Sequence, residues 1–323
     1  MGFDQGSSSS KAVLTDQYGK IIRTAAVPLK TFQPAAGRVE HDPSAILRSQ
    51  LEAAKQVLTT IHKTKTSIAA IGIANQRSTF LLWDKGSGRP LGPAISWQDL
   101  RADGLIPQWE GHREGIRSKI GLMLTPYYAA PKIRWLLDHV KGLRAKADRG
   151  KCLFGTINTW LIWHLTRGEI HATDHTNAAR TLLMNLFTLS WDEELLSLFD
   201  IPSAILPQIY PTTADFGQAH ISGRKIPVRA SIGDQQAGLI GIGAVHRGES
   251  VVNYGTGGFF LVNTGSRPII VSGLLSSLAW TTSDRKVYVA EGTVNSVGTL
   301  FEWLKESGWI KAVSEIDRLA GAS

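Results

Sequence analysis

The sequence predicts an α/β protein of two domains with a cleft between them, and three observations lead to this prediction. The chain has 323 residues, a length that favours two domains. Short apolar runs typical of strands alternate with segments whose apolar residues recur at helical spacing. Finally, the order hairpin, strand, helix occurs once at the N-terminus and again from Ser250 onward.

The first copy of this order opens on a β-hairpin. Residues 1–4 are predicted to end one strand and residues 12–14 to begin the next, so that the Gly/Ser run between them is a turn. Asp42 is predicted to cap a helix with Pro43 at its first position, and apolar residues recur at helical spacing as far as Ile61. The other predictions for this half are strands at residues 21–29, 68–74 and 80–83 and helices at residues 131–140 and 160–165.

The later part of the chain begins with a strand predicted at residues 227–232 that leads into Asp234. A carboxylate just past the end of a strand is where open α/β sheets place their chemistry. The repeated order follows, with strands predicted at residues 251–254, 259–262, 277–281 and 286–290 and a helix from Val294 to Lys305. The first copy continues into further elements and the second does not. We therefore expect a first domain at residues 1–245 and an incomplete second domain at residues 246–323.

Composition argues against several classes of protein. The net charge is +8, but the basic residues are scattered, so we expect no nucleic-acid partner. The sequence has no apolar run of about 18 residues and no signal-peptide pattern at its start, so we expect a cytoplasmic protein without a membrane partner. The single cysteine, Cys152, fits a reducing compartment and is predicted to be a buried thiol. His171 and His175 are four residues apart, but Thr173-Asp174 between them predicts a turn or strand and disfavours a zinc pair.

Two Gly-rich turns have a composition suited to holding phosphate. Backbone N–H groups bind phosphate oxygens where side chains are small, and hydroxyl groups add donors. Gly6 with Ser7 to Ser10 meets this description, and Lys11 adds a charge. Gly255 to Gly258 form a second such turn. One hairpin of this kind is weak evidence, but two that each open a repeated β array indicate a phosphate clamp. The motifs of P-loop and Rossmann proteins are absent from the sequence, which disfavours those mechanisms.

With these features the sequence resembles the FGGY carbohydrate kinases, and within them the glycerol kinase branch. The resemblance is colinear over nearly the whole chain. The matching stretches are Asp4 to Gly6, Ile71 to Arg77, Trp97-Gln98, Pro126-Tyr127, Lys132 to His139, Thr159 to Trp163, Thr173 to Thr181, Gly233 to Gln236, Tyr254 to Gly257 and Glu291-Gly292. The resemblance implies an actin-like ATPase (ribonuclease H-like) fold and the ATP-dependent, Mg²⁺-assisted phosphorylation of a small polyol or sugar.

The resemblance also implies roles for individual residues. Asp234 resembles the catalytic base that takes the proton of the substrate hydroxyl, and Asp4 and Asp234 resemble the carboxylates near the metal. The nucleotide side is implied at Ser7, Ser8, Ser9, Lys11, Thr256, Gly257 and Gly298. The polyol pocket is implied at Arg77, Ser78, Trp97, Tyr127, Asp234, Gln235 and Phe259. Taken singly, Trp97 and Phe259 would also fit positions in a hydrophobic core. Arg77 would also fit a surface ion pair, and Asp234 would also fit a helix N-cap.

The sequence departs from the family pattern in three respects. Ser78 stands where glycerol kinases have a glutamate that accepts hydrogen bonds from the substrate, and Lys11 stands in place of an arginine. A larger polyol or sugar is therefore the alternative to glycerol as substrate. Family members also have a second domain about as long as the first, so we expect little ATP turnover by this chain alone. An inactive protein that binds ligand without turnover is the alternative function. A homo-oligomer is compatible with the sequence.

Overall fold

The computed structural model describes residues 1–59, 67–254, 258–294 and 297–321. The strands are β1 (Gly2–Gln5), β2 (Ser9–Thr15), β3 (Ile21–Pro28), β4 (Glu40–His41), β5 (Ile71–Asn75), β6 (Phe80–Asp84), β7 (Ala94–Ile95), β8 (Cys152–Thr156), β9 (Ala172–Asp174), β10 (Gln208–Tyr210), β11 (Gln218–Ile221), β12 (Arg224–Gly233), β13 (Ser250–Tyr254), β14 (Gly258–Gly265), β15 (Leu275–Thr281) and β16 (Lys286–Val294). The helices are α1 (Pro43–Leu58), α2 (Arg113–Ile120), α3 (Ala129–His139), α4 (Leu143–Asp148), α5 (Ile157–Leu165), α6 (His175–Ala178), α7 (Glu193–Phe199), α8 (Asp234–Gly241), α9 (Gly298–Glu306) and α10 (Ile316–Ala320). Short 3₁₀ segments lie at Asp103–His112, Ser203–Ile205 and Val313–Glu315.

A six-stranded mixed sheet organises the N-terminal part of the chain, in the order β11-β12-β5-β1-β2-β3. Strands β1, β5 and β12 are parallel, whereas β2 pairs antiparallel with β1, β3 with β2, and β11 with β12. Helices α1 and α5 share one apolar core with this sheet, and Trp160 of α5 donates a hydrogen bond to the carbonyl of Pro43 at 3.0 Å. The pairing of β1 with β2 and of β2 with β3 confirms the predicted hairpin and the third strand that follows it.

Helix α1 begins as the sequence predicts. The side chain of Asp42 accepts a hydrogen bond from the backbone N–H of Ser44 at 2.8 Å, and Pro43 is the first helical residue. A cap of this kind satisfies one of the free N–H groups at the helix start. The predicted continuation of the apolar pattern to Ile61 lies outside the described residues.

A second core lies beside the first and is built on the sheet β4-β7-β6-β8. Helices α2, α3, α4 and α7 contribute apolar residues to it. Cys152 begins β8 and is a buried free thiol, and burial raises its pKa to about 11. This confirms the prediction of a structural thiol, since a thiol that stays protonated is a weak nucleophile.

A further four-stranded sheet, in the order β13-β14-β16-β15, follows α8. It confirms the strands predicted there, with one correction. Val294 ends β16, and the helix that the sequence placed from Val294 to Lys305 begins instead at Gly298. The predicted boundary after residue 245 falls in the connection between α8 and β13 and stays a prediction.

The sequence disfavoured a zinc pair at His171 and His175, and it led us to expect no membrane partner. His171 precedes β9 and contacts the carbonyl of Phe154, whereas His175 begins α6 and contacts the hydroxyl of Thr281. Over the described ranges, no group of three or more His, Cys, Asp or Glu side chains is arranged to hold a metal ion. No helix in the part of the chain that the structure describes is long and apolar enough to cross a membrane.

Candidate active site

The parallel strands bring three chain segments to one edge of the six-stranded sheet. Gln5 at the end of β1 and Gly233 at the end of β12 both pair with Asn75 at the end of β5. Since parallel strands end at the same edge, the residues that follow them, Gly6, Gln76 and Asp234, meet there. The sequence predicted chemistry at a strand end from Asp234 and, separately, a phosphate turn that begins at Gly6.

A cavity of about 780 Å³ lies at this edge, between it and strands β14 and β16 of the later sheet. Its volume is in the range typical of sites for small ligands. Twelve of the predicted site residues line it: Asp4, Ser7, Ser8, Ser9, Lys11, Arg77, Ser78, Trp97, Tyr127, Asp234, Gln235 and Phe259. Thr256 and Gly257 lie outside the described residues. Gly298 begins α9 and is not among the described residues that line the cavity.

The predicted phosphate turn closes the β1–β2 hairpin. The N–H of Gly6 donates to the carbonyl of Ser9 at 2.9 Å, and the carbonyl of Ser8 accepts from the N–H of Leu29 at 2.9 Å. The turn is therefore held from both sides while its serine residues face the cavity. Lys11 pairs with Asp4 across the hairpin, with 3.2 Å between Nζ and Oδ2.

Asp234 is the carboxylate at the centre of the cavity wall. It is the first residue of α8, and Gly233 occupies the N-cap position, so Asp234 is not the N-cap itself. Its side chain is 32% exposed, and its Oδ1 lies 3.5 Å from the Nε of Arg77. Burial raises the pKa of Asp234 above its usual range, Arg77 opposes this rise, and the negative charges of Asp4 and Glu291 reinforce it. A carboxylate with a raised pKa is better matched to accepting a proton near neutral pH.

Arg77, Arg180 and Glu291 form a buried ion cluster, here called the Arg–Glu cluster, at the back of the cavity. Arg77 donates two hydrogen bonds to the carboxylate of Glu291, at 2.7 and 3.1 Å. Arg180 approaches the same two oxygens at 3.4 and 3.3 Å. Burial alone would raise the pKa of Glu291, but Arg180 and Arg77 outweigh burial and lower the pKa to about 2. Glu291 is therefore ionised. Because the side chains of Arg77 and Glu291 are both buried, the alternative interpretation of Arg77 as a member of a surface ion pair is wrong.

A chain of hydrogen bonds links the phosphate turn to the aromatic side of the cavity. Gln76 donates from Nε2 to the carbonyl of Gly6 at 3.1 Å and accepts at Oε1 from the hydroxyl of Thr79 at 2.9 Å. The hydroxyl oxygen of Thr79 in turn accepts from the N–H of Trp97 at 3.1 Å. Lys132 of α3 holds the same region, since its Nζ donates to the carbonyls of Ser96 and Tyr127 at 2.8 and 2.9 Å.

Trp97, Tyr127 and Phe259 are each half-buried and line the cavity, so the interpretation of Trp97 and Phe259 as plain core residues does not hold. Ser78 is 5% exposed, has a φ of +64°, and donates from its hydroxyl to the carbonyl of Arg180 at 3.3 Å. The side chain of Gln235 accepts a hydrogen bond from Asn253 of β13 at 3.3 Å. The cavity therefore combines apolar rings with polar groups that can bind hydroxyls.

The sequence analysis missed Arg180 and Glu291 as site residues. A signal was present for Glu291, because an acidic residue directly follows the apolar run from Val287 to Ala290. A charge on such a strand requires a buried partner. Its partner Arg77 is 214 positions away, and only the fold brings the two together.

The sheet order and the cavity at the strand ends define a protein of the actin-like ATPase, or ribonuclease H-like, fold. Residues 1–241 match the N-terminal domain of the FGGY family of carbohydrate kinases. The chain belongs to this family.

Relatives and solved structures agree with this assignment. The chain is 46% identical to a glycerol kinase of Thermus brockianus, over 99% of this chain and 66% of the relative. It is 42% identical to a glycerol kinase of Natranaerobius thermophilus, over 95% of this chain and 63% of the relative. The chain thus spans just under two thirds of the length of these curated relatives.

Among solved structures, the glycerol kinase of Plasmodium falciparum with ADP superposes with a TM-score of 0.93 at 32% identity. That match covers 100% of this chain and 67% of the other. A ligand-bound xylulose kinase of Lactobacillus acidophilus superposes with a TM-score of 0.81 at 26% identity, over 94% of this chain and 62% of the other.

Proposed function

We propose that this protein transfers the terminal phosphoryl group of ATP to a hydroxyl of a small polyol, with glycerol as the first candidate substrate. The observation that carries the proposal is the position of Asp234, which faces one cavity together with the serine turn and the side chains of Trp97, Tyr127 and Phe259. The relatives named as glycerol kinases support the choice of polyol. The ADP named with the Plasmodium structure supports the choice of nucleotide.

In this mechanism Asp234 accepts the proton of the attacking hydroxyl. A positioned base of this kind accelerates proton transfer by roughly 10²–10⁴-fold. Trp97 and Phe259 pack against the carbon chain of the polyol, and Tyr127 and Gln235 bind its other hydroxyls. Arg77 lies beside the base and stabilises its charged form before the proton arrives.

The serine turn binds the phosphates of ATP. Its backbone N–H groups and the hydroxyls of Ser7, Ser8 and Ser9 supply donors, and Lys11 supplies a positive charge next to them. Thr256 and Gly257 remain proposed contacts from the second turn, and Gly298 one from the start of α9. Phosphoryl transfer depends mainly on such positioning and charge stabilisation.

The carboxylates of Asp4 and Asp234 line the same cavity and fit Mg²⁺, which proteins hold through one or two carboxylates together with substrate phosphates. When bound, Mg²⁺ neutralises charge on the phosphate oxygens. Asp4 is paired with Lys11 in the structure. If a metal held Asp4, Lys11 would be free to pair with a phosphate instead.

A coupled assay for ADP with glycerol, tetritols and pentitols tests the proposal, with calorimetry for polyol binding. We expect slow polyol-dependent ADP formation by this chain, and a further fall of roughly 100-fold or more in Asp234→Asn. Asp192→Asn is the matched control, because Asp192 caps α7 and does not line the cavity. Binding without ADP formation favours the alternative of a ligand-binding protein, and the absence of both binding and turnover contradicts the proposal.

A larger polyol or sugar is the second candidate substrate, and Ser78 favours it. The side chain is short and buried against the cavity, so it leaves space that a glutamate would fill. Replacement by Ser78→Glu adds a charged acceptor, and a hydrogen bond to a charged group contributes about 1.5–3 kcal/mol. We expect the variant to bind glycerol roughly tenfold to a hundredfold more tightly and pentitols less tightly. Unchanged glycerol affinity in Ser78→Glu, with Ser78→Ala as control, would count against this view of the pocket.

A further inference from the structure

One fully buried carboxylate, that of Asp174, lies behind the edge of the sheet that carries the site. Asp174 ends β9 and is the N-cap of α6. Its Oδ2 accepts hydrogen bonds from the backbone N–H of Thr176 at 2.8 Å and from the hydroxyl of Thr176 at 2.5 Å. Its Oδ1 accepts from Nδ2 of Asn177 at 2.7 Å and, at longer range, from Asn158 at 3.4 Å and Ser231 at 3.3 Å. A helix cap needs only the bond to the backbone N–H, so the other bonds require a separate explanation.

The hydroxyl of Thr176 connects Asp174 to the residue that precedes Asp234. A hydroxyl group has one proton, and Thr176 donates that proton to the carboxylate. Its oxygen is therefore left to accept, and it accepts from the backbone N–H of Gly233 at 2.8 Å. Thr176 and Gly233 are both buried, so water does not compete for this bond. The carboxylate of Asp174 thus fixes the end of β12, from which Asp234 follows.

The side chain of Asn177 makes a similar connection to the end of β5. Its Nδ2 donates to Asp174 at 2.7 Å and to Oδ1 of Asn75 at 3.0 Å, and its Oδ1 accepts from Nδ2 of Asn75 at 3.0 Å. The bond to the carboxylate requires that Nδ2 of Asn177 faces it, and this sets the orientation of the amide pair. Asn75 is the last residue of β5, two positions before Arg77.

We propose that Asp174 is a positioning residue for the site. Through Thr176 it fixes the start of α8 and so the place of Asp234, and through Asn177 it fixes the end of β5 and so the place of Arg77. A carboxylate can accept from both branches at once, because each of its oxygens has free lone pairs. The role of Asp234 as the base rests on the proposed function, whereas the hydrogen bonds that hold the two strand ends do not.

Three threonine variants separate positioning from a general contribution to folding. Thr176→Val keeps the shape of the side chain but removes its hydroxyl, so the N–H of Gly233 loses its acceptor. Thr176→Ser keeps the hydroxyl and should behave like the native chain. Thr173→Val is the matched control, because Thr173 is a buried threonine of the same segment whose hydroxyl contacts Thr156 and Asn158 instead of a strand end at the site.

Amide hydrogen exchange, followed by NMR, reports on the strand ends without any ligand. The N–H of Gly72 within β5 donates to the carbonyl of Met1 at 3.0 Å and serves as the reference for the stability of the sheet. We expect exchange at Gly233, relative to Gly72, to rise roughly tenfold to a hundredfold in Thr176→Val, because a buried donor has then lost its acceptor. Thr176→Ser and Thr173→Val should keep the native ratio.

Asp174→Asn tests the carboxylate itself. The amide of this variant has one oxygen, so it cannot accept from both Thr176 and Asn177 as the carboxylate does. We expect faster exchange, relative to the same reference, at Gly233 or at the N–H of Gln76 directly after β5. Native ratios at both positions in the folded variant overturn the proposal.

The threonine variants decide the outcome if Asp174→Asn does not fold. Equal exchange ratios in Thr176→Val and Thr173→Val overturn the proposal. Loss of folding in Thr176→Val also overturns it, because the hydroxyl would then serve the fold as a whole. A raised ratio in Thr176→Ser, equal to that in Thr176→Val, would show that the hydroxyl is not what holds Gly233.

Calorimetry with glycerol and pentitols then links the held strand ends to the site. We expect Thr176→Val to bind polyol roughly tenfold more weakly, and Thr176→Ser to restore the native affinity. In the ADP assay, kcat of Thr176→Val should fall by more than KM rises, because the base is displaced from the hydroxyl. Native affinity and native kcat in Thr176→Val, despite faster exchange at Gly233, would overturn the positioning role.

The two proposals fail in different ways. A native chain that binds no polyol contradicts the proposed function, and the exchange ratios then still decide whether Asp174 holds the strand ends. A native chain that binds polyol while Thr176→Val and Asp174→Asn keep native exchange ratios overturns the role of Asp174 and leaves the proposed function standing.

Discussion

At the scale of single residues, Gly233 is the position in the site where a side chain would have the least room. It links β12 to Asp234, and its N–H donates to the hydroxyl oxygen of Thr176 at 2.8 Å. A Cβ atom there would lie 2.7 Å from Oε1 of Gln236 and 2.8 Å from Cγ and Cδ of Arg77. The absence of a side chain at Gly233 is therefore what lets Arg77 pass beside Asp234.

Gly233→Ala should disturb both stability and the site. Overpacking of this kind costs about 1–3 kcal/mol, and the Cβ can fit only if Arg77 or Gln236 moves. We expect a lower free energy of unfolding in urea and weaker polyol binding by calorimetry. Gly241→Ala is the matched control, because a Cβ there meets no described atom within 4 Å. Equal stability of the two alanine variants would contradict this account.

Part of the site was predictable at this scale because its residues stand next to strand ends. Asp234 and the serine turn could be located from the local pattern, since the carboxyl end of a parallel strand is a general place for chemistry. The partners of Arg77 could not be located in this way. Arg180 and Glu291 lie far away in sequence, and their pairing depends on how two sheets face each other.

At the scale of elements, helix α3 holds two loops of the cavity through one buried amine. Lys132 is fully buried, and its Nζ donates to the carbonyl of Ser96, directly before Trp97, and to that of Tyr127. Burial lowers the pKa of Lys132 to about 7. In the unfolded chain the amine has a pKa of about 10.4. Between these values the unfolded state binds more protons, so stability contributed through Lys132 rises as the pH increases from about 7 to about 10.

Lys132→Met tests this role. We expect the variant to lose the rise in unfolding free energy between pH 7 and pH 9.5, measured in urea, and to bind polyol more weakly because the loops of Trp97 and Tyr127 are released. Lys146→Met is the control, since Lys146 is 43% exposed and pairs with Asp84 at the surface. If Lys132→Met kept the pH dependence of the native chain, the amine of Lys132 would not be the group that causes the rise in unfolding free energy.

The boundary of a helix or strand was predicted correctly where a residue at that boundary itself carries the signal. Asp42 and Pro43 predicted the start of α1 correctly because capping depends on the cap residue itself. The predicted start of α9, at Val294, lies four residues before the observed start at Gly298. Val294 is apolar and fits either a strand or a helix, and β16 extends through it because β14 pairs with it along that length.

At the scale of the whole molecule, two half-buried histidines make the fold sensitive to acid. Burial lowers the pKa of His171 and of His175 to about 4. Their pKa values in an unfolded chain are about 6.5. The unfolded state therefore takes up protons first, and stability falls as the pH drops from about 6.5 to about 4. His175 contacts Thr281 of β15, so its protonation acts on the contact between the two parts of the chain.

The double variant His171→Gln with His175→Gln should flatten this dependence. Urea unfolding at pH 7.5 and pH 4.5 measures it, and the loss of stability between these values should be smaller in the double variant than in the native chain. His246→Gln is the control, because His246 is exposed. An equal acid sensitivity in the double variant and the native chain would contradict the assignment to these histidines.

The overall arrangement was predictable because the hairpin, strand and helix order recurs within the sequence. The repeat correctly indicated two β arrays that meet at a cleft. The sheet β4-β7-β6-β8 and its separate core were not predicted. Its pairs join residues distant in sequence, such as Phe80 with Thr156, and local periodicity carries no information about them.

The place of β5 between β1 and β12 in the six-stranded sheet has a consequence for synthesis of the protein. Strands β1, β2, β3 and β5 leave the ribosome first, but β12, which covers the other side of β5, follows about 150 residues later. At bacterial or eukaryotic elongation rates this interval lasts roughly 8–30 s. During it the nascent chain presents an unpaired apolar strand edge, which invites pairing with neighbouring chains on the same messenger RNA. We therefore expect chaperone occupancy to begin once β5 has emerged and to end when β12 is complete.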